Sequence, residues 1–589
     1  MADVRGNIYG VNGPIVYIKG ITGLQMAEMV YVGKEKLVGE VISLTKERTT
    51  IQVYEETYGI KPGEEVIGTG GPISITLAPG ILNNIFDGIE RPLSEISKAN
   101  GAYIKRGISV DSLDGNKKWE TQMVVKQGQP VEAGTIIAKV RETRSIVHKV
   151  MLPPSMEGTI LHVKDDGEYT INDTIAVLQL INGDEINITM VQKWPIRVPR
   201  PLIKRYPPTK PLITGQRILD TLFPIAKGGT AAVPGGFGTG KTMTQHQIAK
   251  WSDADIIVYI GCGERGNEMT QVLEDFKELV DPKTGNPLMD RTVLIANTSN
   301  MPVAAREASI YTGITLAEYY RDMGYHVAIM ADSTSRWAEA LRELSGRLEE
   351  MPAEEGFPAY LASKLATFYE RAGMVQNLNS TEGSISIIGA VSPQGGDFSE
   401  PVTQNTKRFV RCFWGLDKSL AYARHFPAIH WLTSYSEYIQ DLAPWYVENI
   451  DKNFVDTRNQ IIAILNQESS LMEIVKLIGA DVLPDDQRLI LEIARVIRLG
   501  FLQQNAFHHE DTCVPMEKQY KMMEIILYLY KKSKMLINMN MPVSVLRRER
   551  MFDKVIAIKY DVPNDKPEML NDYFKQIDAF YERVLEKNA

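Results

Sequence analysis

The stretch Gly235-Gly236-Phe237-Gly238-Thr239-Gly240-Lys241-Thr242 constrains this chain more than any other. It satisfies the spacing G-x-x-x-x-G-K-[ST], with Gly235, Gly240, Lys241 and Thr242 at the required positions. Glycines let the backbone curl so that several N–H groups point at one anion. A lysine at the end of the loop can reach the β- and γ-phosphates of a nucleotide, and the hydroxyl after it can ligate Mg²⁺. Such a loop works between a strand and a helix. Ala231-Ala232-Val233 reads as the strand and Thr242 to Trp251 as the helix, whose N-terminus then faces the phosphates. A chance glycine loop would lack those flanks. The stretch therefore predicts a nucleoside-triphosphate site and says little about what the energy is used for.

The rest of the chain predicts the surroundings of that loop. Ile256–Ile260, Thr292–Ala296, Val327–Ala331 and Ile385–Ile388 are unbroken β-rich runs, the pattern of strands covered on both faces in a parallel sheet. Amphipathic pieces such as Ser309 to Met323 lie between them, so residues from about 230 to 426 read as a doubly wound α/β core. Residues 1–72 read as short strands punctuated by Gly13-Pro14 and Lys61-Pro62-Gly63, a small β-barrel. From Lys117 to Ile186 a weak internal repeat resembles the paired hairpins of a lipoyl- or biotinyl-type sandwich, with a plain hairpin repeat as the alternative. Its apex, Glu142-Thr143-Arg144-Ser145, has no lysine to modify, so it reads as a structural insert and not a swinging arm. The proline-dense stretch Trp194 to Arg217 reads as an extended connector whose Arg197, Arg200, Lys204 and Arg205 face solvent or another subunit. Past Asp441, Ile461–Ile478, Asp485–Gln504, Glu517–Leu536 and Glu568–Lys587 read as helices. The predicted layout is a barrel at 1–72, a nucleotide-binding domain at 73–109 and 187–440, a β-rich insert at 110–186 and a helical domain at 441–589.

Several classes are disfavoured. A net charge of −8 argues against a general nucleic-acid binder. Three cysteines, Cys262, Cys412 and Cys513, are far apart, which suits a reducing compartment without a disulfide framework. The opening residues MADVRGNIYGVNGP lack the apolar centre of a leader peptide. No apolar run approaches the ~18 residues a spanning helix needs, so nothing here is expected to span a membrane and any membrane role is expected to be indirect.

Ligands of an open parallel sheet bind beyond the carboxyl ends of its strands. Asp332 stands there, directly after Val327–Ala331, placed to hold Mg²⁺; an N-cap for the following helix is the alternative. Glu264, in Gly261-Cys262-Gly263-Glu264-Arg265-Gly266-Asn267-Glu268, stands at a second strand end and is placed to orient and deprotonate an attacking water. Arg265 beside it can meet a γ-phosphate; a surface Glu–Arg pair is the alternative. Gly261, Gly263 and Gly266 read as allowing close approach of a ligand. Phe426 and Phe507 are candidates for the aromatic slot an adenine needs. The group His508, His509, Glu510, Asp511 and Cys513 matches no closed zinc spacing and reads as a solvated turn.

Pro427-Ala428-Ile429-His430, followed after three residues by Ser434-Tyr435-Ser436, matches the signature P-[SAP]-[LIV]-[DNH]-x3-S-x-S of rotary ATPase α/β-type subunits. With GGFGTGKT, GCGERGNE and VAIMADSTSRWAEALRE, the chain resembles the catalytic A subunits of V/A-type ATPases over its whole length. The resemblance implies a P-loop core with an N-terminal barrel, a bulge-like insert and a helical C-terminus. It implies that ATP or ADP is held by Gly235, Gly236, Phe237, Gly238, Thr239, Gly240, Lys241 and Thr242, with Phe426, Phe507 and Gln504 near the base. It assigns Glu264 as the catalytic carboxylate, Arg265 and Lys241 as phosphate contacts, and Thr242 and Asp332 to Mg²⁺. It makes Leu483 to Arg488 a lever against a central shaft. The implied partners are B subunits in an alternating six-membered ring, central-stalk rotor subunits, peripheral-stalk subunits and, through the stalks, an ion-translocating membrane sector. The implied place is the cytoplasmic face of a membrane, and a further transition-state arginine is implied to come from the neighbouring subunit. Two departures stand out: Gly236 replaces a usual proline, and Thr239 replaces the cysteine of eukaryotic relatives. A non-catalytic ring subunit should lack the set Lys241, Glu264 and Asp332. A type III export ATPase should lack the insert, and a Rho-type RNA translocase should not carry this charge.

Overall fold

The computed structural model describes residues 5–20, 22–101, 106–108, 110–479 and 482–588. The first four residues, on which part of the leader-peptide reading rests, lie outside them. Two compact units are distinguished: Met1–Tyr206 with Gly228–Thr230 and Ala254–Phe409, and Pro207–Lys227 with Ala231–Asp253 and Val410–Ala589.

In the first unit, six strands from Arg5–Asn12 to Glu65–Pro72 close into a barrel, in the spatial order first, second, fifth, fourth, third, sixth. Alternate residues point inward, so Val16, Ile18, Val30, Val41, Ile51 and Val66 fill its centre. The insert is two four-stranded antiparallel sheets, the sandwich that its repeat resembled. The four apolar runs form neighbouring parallel strands at Ile256–Glu264, Thr292–Thr298, His326–Asp332 and Glu382–Val391. Gly261 lies opposite Asp332 in the register, so Glu264 and Asp332 leave the same edge of the sheet.

The helix Val303–Asp322 departs from expectation. Ser309 to Met323 reads as amphipathic, yet nearly every residue of the helix is buried. Its polar face is charge-paired instead of solvated. Glu307 accepts from Arg197 at 2.8 and 3.0 Å. Glu318 takes a two-pronged contact from Arg371 at 2.6 and 2.9 Å, and Asp322 meets Arg200 at 2.6 Å. Arg197 also meets Glu40 of the barrel at 2.9 Å. This corrects the reading of Arg197 and Arg200 as solvated or subunit-facing. Extended backbone lets them project inward, where buried carboxylates receive them. Lys204 and Arg205 are exposed.

In the second unit, Thr230–Pro234 pairs in parallel with Cys412–Phe413, which pairs antiparallel with Tyr435–Ser436. The helix Lys241–Trp251 follows the phosphate loop. The C-terminal part is helical, with long helices at Phe454–Ile478, Asp485–Val496, Met516–Asn538 and Asn571–Asn588. The predicted run to Gln504 ends early: Asp485–Val496 gives way to a wider π-turn at Ile497–Leu502, and Gln503 is already extended. A further helix, Ile439–Asn449, carries Pro444 inside it and was not among those expected.

Removing one partner of a buried ion pair strands the other charge, at a cost of about 3–5 kcal/mol. Arg197→Met, which leaves Glu40 and Glu307 without their guanidinium, should lower stability by that order in denaturant unfolding at pH 7. Burial works against the charge of Glu307, but the Arg197 charge and hydrogen bonds outweigh it and hold its pKa below the usual value. A depressed carboxylate contributes stability above its unfolded pKa of about 4.3 and loses it as pH falls through the folded value. The gap between wild type and Arg197→Met should therefore narrow below about pH 4. A gap independent of pH would contradict this account.

Candidate nucleotide site

In the second unit, the phosphate loop has the shape its spacing demands. Gly238 and Gly240 adopt φ of 77° and 89°, the left-handed region, so their N–H groups turn inward as an anion nest. Gly240 is also the N-cap of Lys241–Trp251, which brings the positive end of the helix to the same place. The Lys241 ammonium donates to the carbonyls of Gly235 at 2.7 Å and Gly236 at 3.3 Å, which braces the loop around it. Thr239 is buried and its hydroxyl donates to the Gly236 carbonyl at 2.8 Å, so only its backbone is available to a ligand. Phe237 is 86% exposed. Gly236 does not adopt a positive φ, so the backbone there does not itself require glycine.

Beside the loop lies a cavity of about 580 Å³, lined among others by Gly240, Met243, Phe426, Gln504 and Phe507. The size suits a purine base with its ribose. Structure thus brings together, in one pocket, the aromatic pair that sequence reading singled out. The Phe426 carbonyl accepts from the Gln504 N–H at 2.8 Å. The side-chain amide of Gln504 is spent internally: it donates to Gly215 O and accepts from Arg217 N, each at 2.8 Å. The signature segment after Phe426 is structural, since Ser434 Oγ accepts from Gly415 N at 3.0 Å and His430 N donates to Gly415 O at 2.8 Å.

The first unit carries the carboxylates. Asp332 is buried, and Tyr259 donates to its Oδ2 at 3.2 Å. The N-cap of the following helix is Ser333, so Asp332 does not serve as the cap. Glu264 ends its strand and is only partly exposed. Burial, the nearby charge of Asp332 and a hydrogen bond with Glu268 push its pKa up to about 8, against the pull of Arg336. A carboxyl poised near neutrality is what proton transfer from water needs. Arg265 is exposed at the N-cap of Gly266–Glu278. Gly266 faces open space, but Gly261 and Gly263 serve a different end from the one expected. A Cβ on Gly261 would lie 2.3 Å from Met269 Sδ, and one on Gly263, at φ 72°, 2.7 Å from Arg336 Cβ. They allow close approach of the protein's own helices, not of a ligand. Arg336 itself was missed; its only signal was its place four residues after Asp332.

The cluster of histidines and acids near residue 510 is accounted for internally. Asp511 pairs with Arg217, Glu510 accepts from Asn564 N at 2.6 Å, and the His508 ring packs against Tyr560 at 4.5 Å. Sequence reading missed Arg217 and the pairing of Asp511 with it.

Comparison with known proteins accounts for all four regions. Residues 215–436 match the ATP synthase alpha/beta family nucleotide-binding domain, and 8–70 match the beta-barrel domain of that family. Residues 110–197 match its barrel-sandwich domain, and 443–544 match the C-terminal domain of V and A type ATP synthase. The V-type ATP synthase alpha chain 2 of Clostridium tetani is 59% identical over 582 residues, covering 99% of this chain and 98% of that one. The A-type ATP synthase of Methanopyrus kandleri has an A subunit that is 56% identical over 588 residues, covering 99% of each. This chain belongs to the V/A-type ATP synthase alpha (A) subunit family. A relative from Halothermothrix orenii, a V-type ATP synthase alpha chain, is 59% identical over 585 residues, covering 99% of each. The fold expected of the family is the one described above: barrel, parallel-sheet nucleotide domain, sandwich insert and helical C-terminus. Among the described residues, no helix of this family member is long and apolar enough to cross a membrane.

Phe426 is 42% exposed and open to the cavity. Stacking of a base on an aromatic face is worth about 1–3 kcal/mol. Phe426→Ala should weaken nucleotide binding by that order, while Phe426→Tyr keeps the face and should change little. Titration of nucleotide into the two variants distinguishes a stacking surface from core packing, which would penalise both alike.

Proposed function

We propose that this chain is the catalytic subunit of a rotary V/A-type ATPase, in which ATP hydrolysis or synthesis is coupled to ion transport. It works within a multisubunit complex. The observation that carries the reading is the pair Glu264 and Asp332, leaving one edge of a parallel sheet in a chain that also carries a complete phosphate loop. A non-catalytic ring subunit has no use for that set.

The roles follow from the chemistry of each group. The nest at Gly238 and Gly240 and the Lys241 ammonium hold the β- and γ-phosphates. Arg265 is the γ-phosphate contact of its loop. Glu264, in its ionised form, accepts a proton from the attacking water. Phe426 and Phe507 hold the base, and Gln504 sets the backbone beneath it. The Thr242 hydroxyl and the Asp332 carboxylate are hard oxygen donors of the kind Mg²⁺ prefers. Tyr259 fixes the rotamer of Asp332 through its hydrogen bond. Mg²⁺, bound with the nucleotide, neutralises charge on the β- and γ-phosphate oxygens.

The partners we propose are B subunits alternating with this chain in a ring, central- and peripheral-stalk subunits, and an ion-translocating membrane sector reached through them, at the cytoplasmic face of the membrane. Asp485 and Asp486, in the first turn of Asp485–Val496, are the contact we propose for the central shaft.

Glu264→Gln should bind Mg-ATP normally and lose about 10²–10⁴ in turnover, the usual worth of a general base. Near wild-type turnover of the variant in the assembled complex would remove Glu264 from the mechanism. The isolated chain should bind Mg-ATP yet hydrolyse it slowly, because an arginine supplied in trans contributes about 10³–10⁵ in turnover. Single-turnover rates agreeing within a few-fold, with and without the B partner, would mean that the site is complete in one chain.

A further inference from the structure

The nucleobase cavity has one wall built on regular structure and one that is not. Gly240 and Met243 stand at the start of a helix, but past the Gln503 N–H, which closes the preceding π-turn on Arg498 O, the stretch to Phe507 lies in no helix or strand. An irregular wall is only as well placed as whatever ties it down.

Gln504 is held by Phe426 O and Gly215 O and Gln503 O also accepts from Lys559, but the residue that reaches most of the wall is one buried arginine. Arg217 is 0% exposed. Its Nη1 donates to Asp511 Oδ1 at 2.5 Å, its Nε to Phe501 O at 2.6 Å and its Nη2 to Gln503 O at 2.7 Å. The other oxygen of Asp511 accepts from Asn505 N at 2.6 Å. The backbone N–H of Arg217 donates to Gln504 Oε1. One residue thus reaches Phe501, Gln503 and Gln504 directly, and Asn505 through Asp511. The carbonyl of Phe501 belongs to the π-turn Ile497–Leu502, and Arg217 directly precedes a second π-turn, Ile218–Leu222. Such turns leave backbone groups in need of partners and cluster at functional sites.

Two features separate this arrangement from ordinary core packing. Neither Arg217 nor Asp511 lines the cavity, so neither can bind the base itself. A buried ion pair is also a poor way to gain stability, since apolar residues of the same volume often do as well. What a planar fork supplies and an apolar side chain does not is several directed hydrogen bonds at fixed angles.

We propose that Arg217, bridged to Asp511, is a positioning residue that sets the Gln503–Phe507 wall against the nucleobase, and so governs affinity for the base and not for the phosphates. This deepens the nucleotide-site reading and rests on it.

The test separates the two parts of the ligand. Mg-tripolyphosphate presents the phosphates without the base. Binding of Mg-ATP and Mg-tripolyphosphate is measured on the assembled complex with wild-type chain, Arg217→Lys and Asp511→Asn. Wild type should prefer Mg-ATP. Both variants should lose roughly tenfold or more in Mg-ATP affinity while keeping their affinity for Mg-tripolyphosphate, as expected of a misplaced wall. KM for ATP should rise with a smaller change in kcat. Arg217→Lys, which keeps the charge but not the planar fork, should lose less than Arg217→Met measured alongside it. Parallel loss of both ligands would make the pair merely structural, and an unchanged preference for Mg-ATP would also overturn the proposal. Absence of any preference in wild type would instead overturn the base-cavity reading on which it rests. Hydrogen exchange of wild type covers the case of variants that do not fold. Mg-ATP, and not Mg-tripolyphosphate, should slow exchange at Asn505 N–H, and equal protection by the two ligands counts against the proposal.

Discussion

The polar face of the helix Val303–Asp322 must be neutralised where water cannot reach it, and much of the first unit is arranged to do so. Glu307, Glu318 and Asp322 are buried carboxylates, and each is met by its own arginine: Arg197, Arg371 and Arg200. Arg197 extends the network to Glu40 in the barrel. The helix is packed against the sheet strands on one side and charge-paired on the other. A pairing of this kind adds little net energy, since desolvation offsets most of the attraction, but any misfit leaves a bare charge.

That arrangement explains what the sequence made legible and what it hid. Strands buried on both faces announce themselves as apolar runs, so Ile256–Ile260, Thr292–Ala296, Val327–Ala331 and Ile385–Ile388 stand out directly. The phosphate loop is equally plain, because its chemistry dictates residue types at fixed spacing. Glu264 and Asp332 are legible as carboxylates at strand ends. Charge pairing between distant residues has no local signature. Arg197 and Arg200 sit among prolines and read as solvated or subunit-facing, while Glu318 lies in a stretch that reads only as amphipathic and Glu307 just before it. Arg197 and Glu307 are 110 residues apart, and nothing short of the fold links them. Glycines mislead for a related reason. Gly261 and Gly263 flank a candidate catalytic residue and read as room for a ligand, but the space they free is taken by Met269 and Arg336.

The second unit shows the same division between local and distant signals. Phe426 and Phe507 are recognisable because each sits in a distinctive stretch. Arg217 and Asp511 are not, although they tie together stretches 294 residues apart. Arg217 closes a run of prolines, where extended backbone is the obvious reading. Asp511 lies among histidines and acids, where a turn or a metal is. Only the buried contact between them reveals that both serve one loop.

The insert tests how far a domain can be understood as an attachment. Its apex resembles the tip of a carrier domain, the part that swings in a lipoyl or biotinyl protein. Here the tip is fixed. Glu142 is buried and accepts from Gly80 N and Leu82 N at 2.9 and 3.0 Å, and from Tyr320 Oη at 2.8 Å. It also meets the ring of His148 at 2.8 Å, whose other nitrogen meets Tyr319 Oη at 3.0 Å. Burial alone would raise the pKa of Glu142, yet His148 and the two backbone donors outweigh it and hold it below the ordinary value. Tyr319 and Tyr320 belong to the helix whose charges organise the rest of the unit. A carrier arm needs a tip that leaves its seat at little cost. This tip seats a buried carboxylate on two backbone donors, so leaving would strand both sides. The sandwich shares its architecture with carrier domains, but its apex is anchored through Glu142.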